Sequence, residues 1–169
     1  GDTLLRAAAT RTSYDLSGAG VRIGVISDGV DRLAAAQATG NLPPDCPDPP
    51  TAATTACVWR DPFRRGAGSE GTATLEVLHD VAPGAVLGFA SGAAGNAGFI
   101  AAVDRLSRVF QADILVDNIG YVNEPFFADG VLAQRLQQAV SAGIVVVSAA
   151  GNDAQRHYQG ALNALRGGS

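Results

Sequence analysis

"GSEGTATLEVLHDVAPGAVLGFA", residues 68–90, holds a helix, a turn and a strand in one line. Gly71–Asp80 has a helical period, Pro83-Gly84 interrupts it, and Ala85–Ala90 is a short apolar run. Three more such runs occur, "VRIGVIS" (21–27), "DILVDNI" (113–119) and "GIVVVSA" (143–149). Helix-period segments over Asp31–Ala38, Gly98–Phe110 and Gly130–Ala142 alternate with them. In Gly98–Phe110 one face carries Ile100, Val103, Leu106 and Phe110, while Asp104 and Arg108 form an i,i+4 pair on the other. Continuous Val/Ile-rich runs suit strands covered on both sides. The alternation therefore predicts an α/β fold, a parallel sheet with helices on both faces.

In such a sheet ligand chemistry belongs at the C-terminal strand ends. Three of the four runs end in polar residues: Ser27-Asp28-Gly29, Asp117-Asn118, and Ser148 through Gly151-Asn152. "GAGVRIG" (18–24) resembles a dinucleotide fingerprint, but its glycines precede the strand instead of following it, which argues against that use.

The 169 residues are 47% hydrophobic and 17% charged, enough to bury the core of a single domain. A net charge of −4 offers no basic stripe for a phosphate backbone, so nucleic acid is not an expected partner. All twelve basic residues are Arg, a pattern expected of GC-rich codon usage. No apolar run approaches the roughly 20 residues that span a bilayer, and no membrane association is expected. The chain has no Met and opens on Gly1, as a processed or excised piece would. Residues 40–69, rich in Pro, Gly and Thr, read as a surface excursion within one domain spanning 1–169.

Cys46 and Cys57 bracket the loop "CPDPPTAATTAC". A disulfide would staple a segment that its Pro and Thr residues cannot fold alone, and would imply an oxidising, extracytoplasmic compartment. The alternative is two unpaired loop thiols. With His79 and His157 the only histidines, the pair makes a poor zinc site, and no metal or other cofactor is expected.

Three pieces in order, "GAGVRIGVISDGVD", "SEGTATLEVLHDVAPGA" and "GIVVVSAAGND", resemble the subtilisin family of serine peptidases over roughly residues 18–155. They are similar to its Asp-bearing first strand, its His-Gly-Thr helix start with the following turn, and its Ala-Ala-Gly-Asn strand end. Glu70 stands where the family has the catalytic His. That exchange is similar to sedolisins, the serine-carboxyl peptidases of the same fold. The closest resemblance is to a subgroup with Glu-Gly before the helix and "HDVAPGA" after it.

The resemblance implies a secreted serine endopeptidase acting on peptide or protein substrates. Glu70 would be the base, Asn152 would donate to the oxyanion, and Asn118, Ile119 and Gly120 would pair with substrate backbone beside a pocket wall of Ala149, Ala150 and Gly151. A glutamate serves as base only where burial or a second carboxylate raises its pKa. A helix N-terminus acts the other way. Asp28 is the first candidate for that second carboxylate, and such a pair would work best in acid.

The chain departs from both family patterns. Matching Gly29 to the subtilisin Asp-x-Gly glycine puts Ser27, not Asp28, at the catalytic aspartate, and a one-residue slip at a strand end reverses the side chain unless the strand bulges. The sedolisin partner, four residues after the glutamate, is Thr74 here, and sedolisins usually carry Asp at the position of Asn152. Asp117 is the alternative partner. Non-catalytic readings stay open beside these: Asp28 as a turn residue, Glu70 as an acid complementing a helix dipole, Asn152 in a left-handed turn. His79, at the far end of the helix from Glu70, reads as a C-terminal capping cation.

None of the nine serines lies in the family's Gly-Thr-Ser-x-Ala nucleophile motif. The expected picture is the N-terminal part of a subtilisin-like domain, incomplete at its C-terminus, inactive alone and requiring a complementing C-terminal segment. The rival is a non-catalytic peptide-binding module.

Overall fold

The computed structural model describes residues 2–125 and 127–152. The expected surface position of His157, Ser169 and the closing "GGS" all lie outside them. Five strands, β1 (Arg22–Ser27), β2 (Val58–Arg60), β3 (Val86–Ser91), β4 (Ile114–Asp117) and β5 (Val145–Ser148), form one sheet in the order β2-β3-β1-β4-β5. Every pairing is parallel. Helices α1 (Asp2–Leu5) and α2 (Ala7–Tyr14) precede the sheet, and α3 (Leu33–Ala38), α4 (Glu70–Val81), α5 (Gly95–Arg108) and α6 (Val131–Ser141) lie in the crossovers. The expected α/β architecture is the observed one.

Strand alternation sorts two cores. Ile23, Val25, Leu87 and Phe89 face Leu33 of α3 and Leu75 of α4. Ile26, Ala90 and Leu115 face Phe99, Val103 and Leu106 of α5 and Leu132 of α6. Gly24 and Gly88 are register partners in this second face. A Cβ on Gly88 would lie 2.6 Å from the Phe110 ring, so the bare backbone is what lets that ring lie on the sheet. On the α4 side of the β5 edge the cover stops: Val145 and Val147 remain 57% and 52% exposed.

Residues 40–69 are not wholly the surface excursion that their composition suggests. Val58 and Trp59 of β2 are buried, Trp59 stacking on Phe110 at 5.4 Å. Three residues are too few to show a period, so "VWR" is silent in the sequence. The buried Asp61 that follows is bonded by Arg105 Nε at 3.2 Å, and Arg105 lies against the rings of Trp59 and Phe63. A buried carboxylate held by a cation fixes the start of the loop that leads to Glu70.

At the other end of α4, Arg11 of α2 donates to the carbonyls of Asp80 (2.9 Å) and Val81 (3.0 Å) and pairs with Asp2. The cation at this helix terminus is therefore Arg11. The His79 Nδ1 is buried without a hydrogen-bond partner, a correction to its reading as the capping group.

Cys46 and Cys57 form a disulfide with Cα atoms 5.1 Å apart. It closes a short loop, with a sequence separation of 11, onto the buried edge of β2. Native protein should show no alkylatable thiol by intact mass, and C46S/C57S should lose about 2–4 kcal/mol against guanidinium. Two reactive thiols in the native state would contradict the bridge.

Candidate functional site

The residues expected at the site lie at the C-terminal ends of β1, β4 and β5 and at the start of α4. Strand β1 pairs with β3 through Ser27 and Ser91, and the chain then leaves the ladder at Asp28. Strand alternation no longer binds a residue beyond the last paired position, so the one-residue slip does not turn Asp28 away. Its Oδ1 accepts the N–H of Gly29 (2.5 Å) and of Gly71 (3.2 Å), in the first turn of α4. Ser91 Oγ donates to the Asp28 carbonyl at 2.7 Å. Ser27 is fully buried.

The loop before α4 can approach Asp28 because it has few side chains. Gly66 bridges Gly29 in antiparallel fashion, and a Cβ on Gly68 would come within 2.0 Å of Asp28 Oδ2. Gly68 also exchanges hydrogen bonds with Asp31, its N–H to Oδ2 at 2.8 Å and its carbonyl to the Asp31 N–H at 2.9 Å. Two chain segments thus converge on one carboxylate.

Glu70 is the first residue of α4 and is exposed. Among the described residues its carboxylate has no hydrogen bond or ion pair, and it is not bonded to Asp28. The two acids are neighbours through the backbone, Gly71 lending Asp28 its N–H. Four residues on, Thr74 Oγ1 donates to the Glu70 carbonyl (3.0 Å) and accepts from Asn118 Nδ2 (3.2 Å). Sequence reasoning assigned Thr74 no role. It is the tie between α4 and the end of β4.

Asp117 faces the opposite side of the sheet from Asn118. It continues the row of Leu115 toward α5 and α6, whereas Ile114 and Val116 belong to the α4 side. Only 6% exposed, it accepts the Ile119 N–H on Oδ1 (3.1 Å) and the Ser148 hydroxyl on Oδ2 (2.9 Å). Burial pushes its carboxyl above the ordinary carboxylate range, with those two hydrogen bonds pulling the other way. Tyr121, whose hydroxyl donates to the Gly92 carbonyl, is raised by burial and by the Asp117 charge.

Gly120 and Ala149 through Asn152 are exposed, and a Cβ on Gly120 or Gly151 would meet nothing within 4 Å. Such open backbone can be approached by another chain. Gly151 has φ 79°, so the left-handed turn falls on the glycine before Asn152 and not on Asn152 itself. Beside Ser91 a concavity of about 300 Å³ is lined by Arg64 and Arg65 among others. Among the described residues no group of three His, Cys, Asp or Glu side chains is placed to hold a metal ion.

The Asp117 shift makes a testable pH effect. In the unfolded chain an aspartate titrates near pH 3.9. The folded state, with its raised pKa, holds the proton to higher pH, so between the two values it binds more protons than the unfolded state. The contribution of Asp117 to stability should fall as pH rises from about 4 through the folded-state pKa and level off above it. Thermal melts across pH 3.5–7 should show that slope in the wild type and a flatter profile in D117N; equal slopes would contradict it.

Comparison of the chain with protein-family models, and with curated proteins, finds no match.

Proposed function

We propose that this chain contributes the base and the oxyanion side of a serine-type endopeptidase. The observation that carries the reading is the Asp28–Gly71 hydrogen bond, which brings a carboxylate from β1 to the helix start that bears Glu70. Glu70, with Asp28 as its partner, would take the proton from a serine hydroxyl supplied by a segment following these residues; Asp117, on the opposite face of the sheet with both oxygens engaged, does not suit that partnership. The serine oxygen would add to the scissile carbonyl, Asn152 donating to the oxyanion, and the protonated glutamate would return its proton to the leaving amine. Water would then repeat the sequence on the acyl-enzyme. A proton-sharing acid pair favours activity in acid.

Asn118, Ile119 and Gly120, facing Ala149, Ala150 and Gly151, would receive the extended substrate backbone. The exposed Val145 and Val147 suit cover by the same complementing segment that brings the serine. The disulfide agrees with an oxidising, secreted setting, and among the described residues no helix is long and apolar enough to cross a membrane.

One observation favours a second reading, a peptide-binding module without turnover. Of the serines at these strand ends, Ser27 is fully buried, Ser91 donates to the Asp28 carbonyl and Ser148 donates to Asp117.

A fluorophosphonate probe, which labels activated serines, separates the two. Residues 1–169 should remain unlabelled, while a chain extended through the downstream coding sequence should be labelled. E70Q in that longer chain should lower turnover by about 10²–10⁴-fold. Labelling of Ser27 or Ser148 would overturn the assignment of the nucleophile. An extended chain that binds peptide but takes no label would establish the binding module instead.

A further inference from the structure

We infer that Asp117 is a positioning residue, a buried carboxyl strut that ties the Asn118–Gly120 edge to the Ala149–Gly151 wall and so sets the separation between them. The inference rests on the peptide-cleft reading of these two segments. Its basis is the division of labour between the two oxygens. Oδ1 accepts from the N–H of Ile119, the middle residue of one wall, at 3.1 Å. Oδ2 accepts from the hydroxyl of Ser148, the residue before the other wall, at 2.9 Å. The backbone closes the same ring, since the Ala149 N–H donates to the Asp117 carbonyl at 2.9 Å.

An acid at this position is costly unless its hydrogen bonds are made, because it is buried and no arginine pairs with it among the described residues. Any separation of the strand ends would break one of them and leave an oxygen of this largely buried carboxyl without its partner. The strut therefore resists separation more strongly than the backbone ladder alone, which at this edge is a four-residue strand with exposed valines. This role needs no proton transfer to substrate. It needs a planar group with two polar atoms, one accepting from Ile119 and the other bonded to Ser148.

That requirement separates a strut from a catalytic acid. In D117N the amide oxygen can still accept from Ile119, and the amide nitrogen can donate to Ser148 Oγ, which is able to accept. In D117A both bonds are lost, and in S148A one is.

Two measurements on the chain as it exists test the inference. The first is fluorescence anisotropy with labelled, oxidised insulin B chain as an unfolded polypeptide probe. D117A should bind it about tenfold more weakly, the loss expected for a buried charge-assisted hydrogen bond. D117N should recover most of that loss. Equal losses in D117A and D117N would mean that the charge, not the strut, matters, and would overturn the inference. The second is amide hydrogen exchange in S148A, which removes the tether on the opposite strand. The Ile119 amide should exchange about tenfold faster if the carboxyl couples the walls. Unchanged protection at Ile119 would show the two ends to be independent and would also overturn it. If the wild type binds no probe, the peptide-cleft reading fails, and the exchange measurement still decides whether Asp117 ties the strand ends together.

Discussion

The bond from the Gly71 N–H to Asp28 Oδ1 joins the end of the central strand to the start of α4, and the proposed chemistry depends on it. It exists because residues 66–69, the Gly-Ala-Gly-Ser that leads into α4, carry almost no side chain. A side chain at Gly66 or Gly68 would collide with the Asp28 backbone or carboxylate, and one at Gly71 with the Phe89 ring and the Gly29 carbonyl. The helix terminus supplies unpaired N–H groups, and a carboxylate is the natural acceptor for them. Capping and catalytic roles for Asp28 are therefore compatible, the first setting the geometry on which the second would draw.

Burial divides the acids of this end of the sheet into different roles. Asp61 is fully buried and held by Arg105, which anchors the loop. Asp117 is buried with two hydrogen bonds and a raised pKa, and it joins β4 to β5. Asp28 is half-buried under glycines, and Glu70 stands in solvent.

Much of the fold was legible because its signals are periodic. The runs at 21–27, 85–90, 113–119 and 143–149 all contain strands, and the four expected helices appear with ends shifted by a few residues. What stayed hidden was short or long-range. Strand β2 has too few residues for a pattern, and its place in the sheet rests on the burial of Val58 and Trp59. The acid at position 28 could be read in the sequence, but its direction could not, because it depends on where the β1 ladder stops. Thr74 and Ser148 acquire their partners across 44 and 31 residues, and no local spacing announces such pairs. The N-terminal helices and the Arg11 cap on α4 were silent for the same reason.

Amide chemical-shift mapping during addition of an unfolded polypeptide tests most directly whether these strand ends form one peptide site. The account predicts that the largest changes fall on Asn118 through Gly120 and Ala149 through Gly151, with smaller ones at Gly29 and Gly71 around the Asp28 carboxylate. Changes confined to another surface, such as the concavity lined by Asp2, Arg11 and His79, with the strand ends silent, would contradict it.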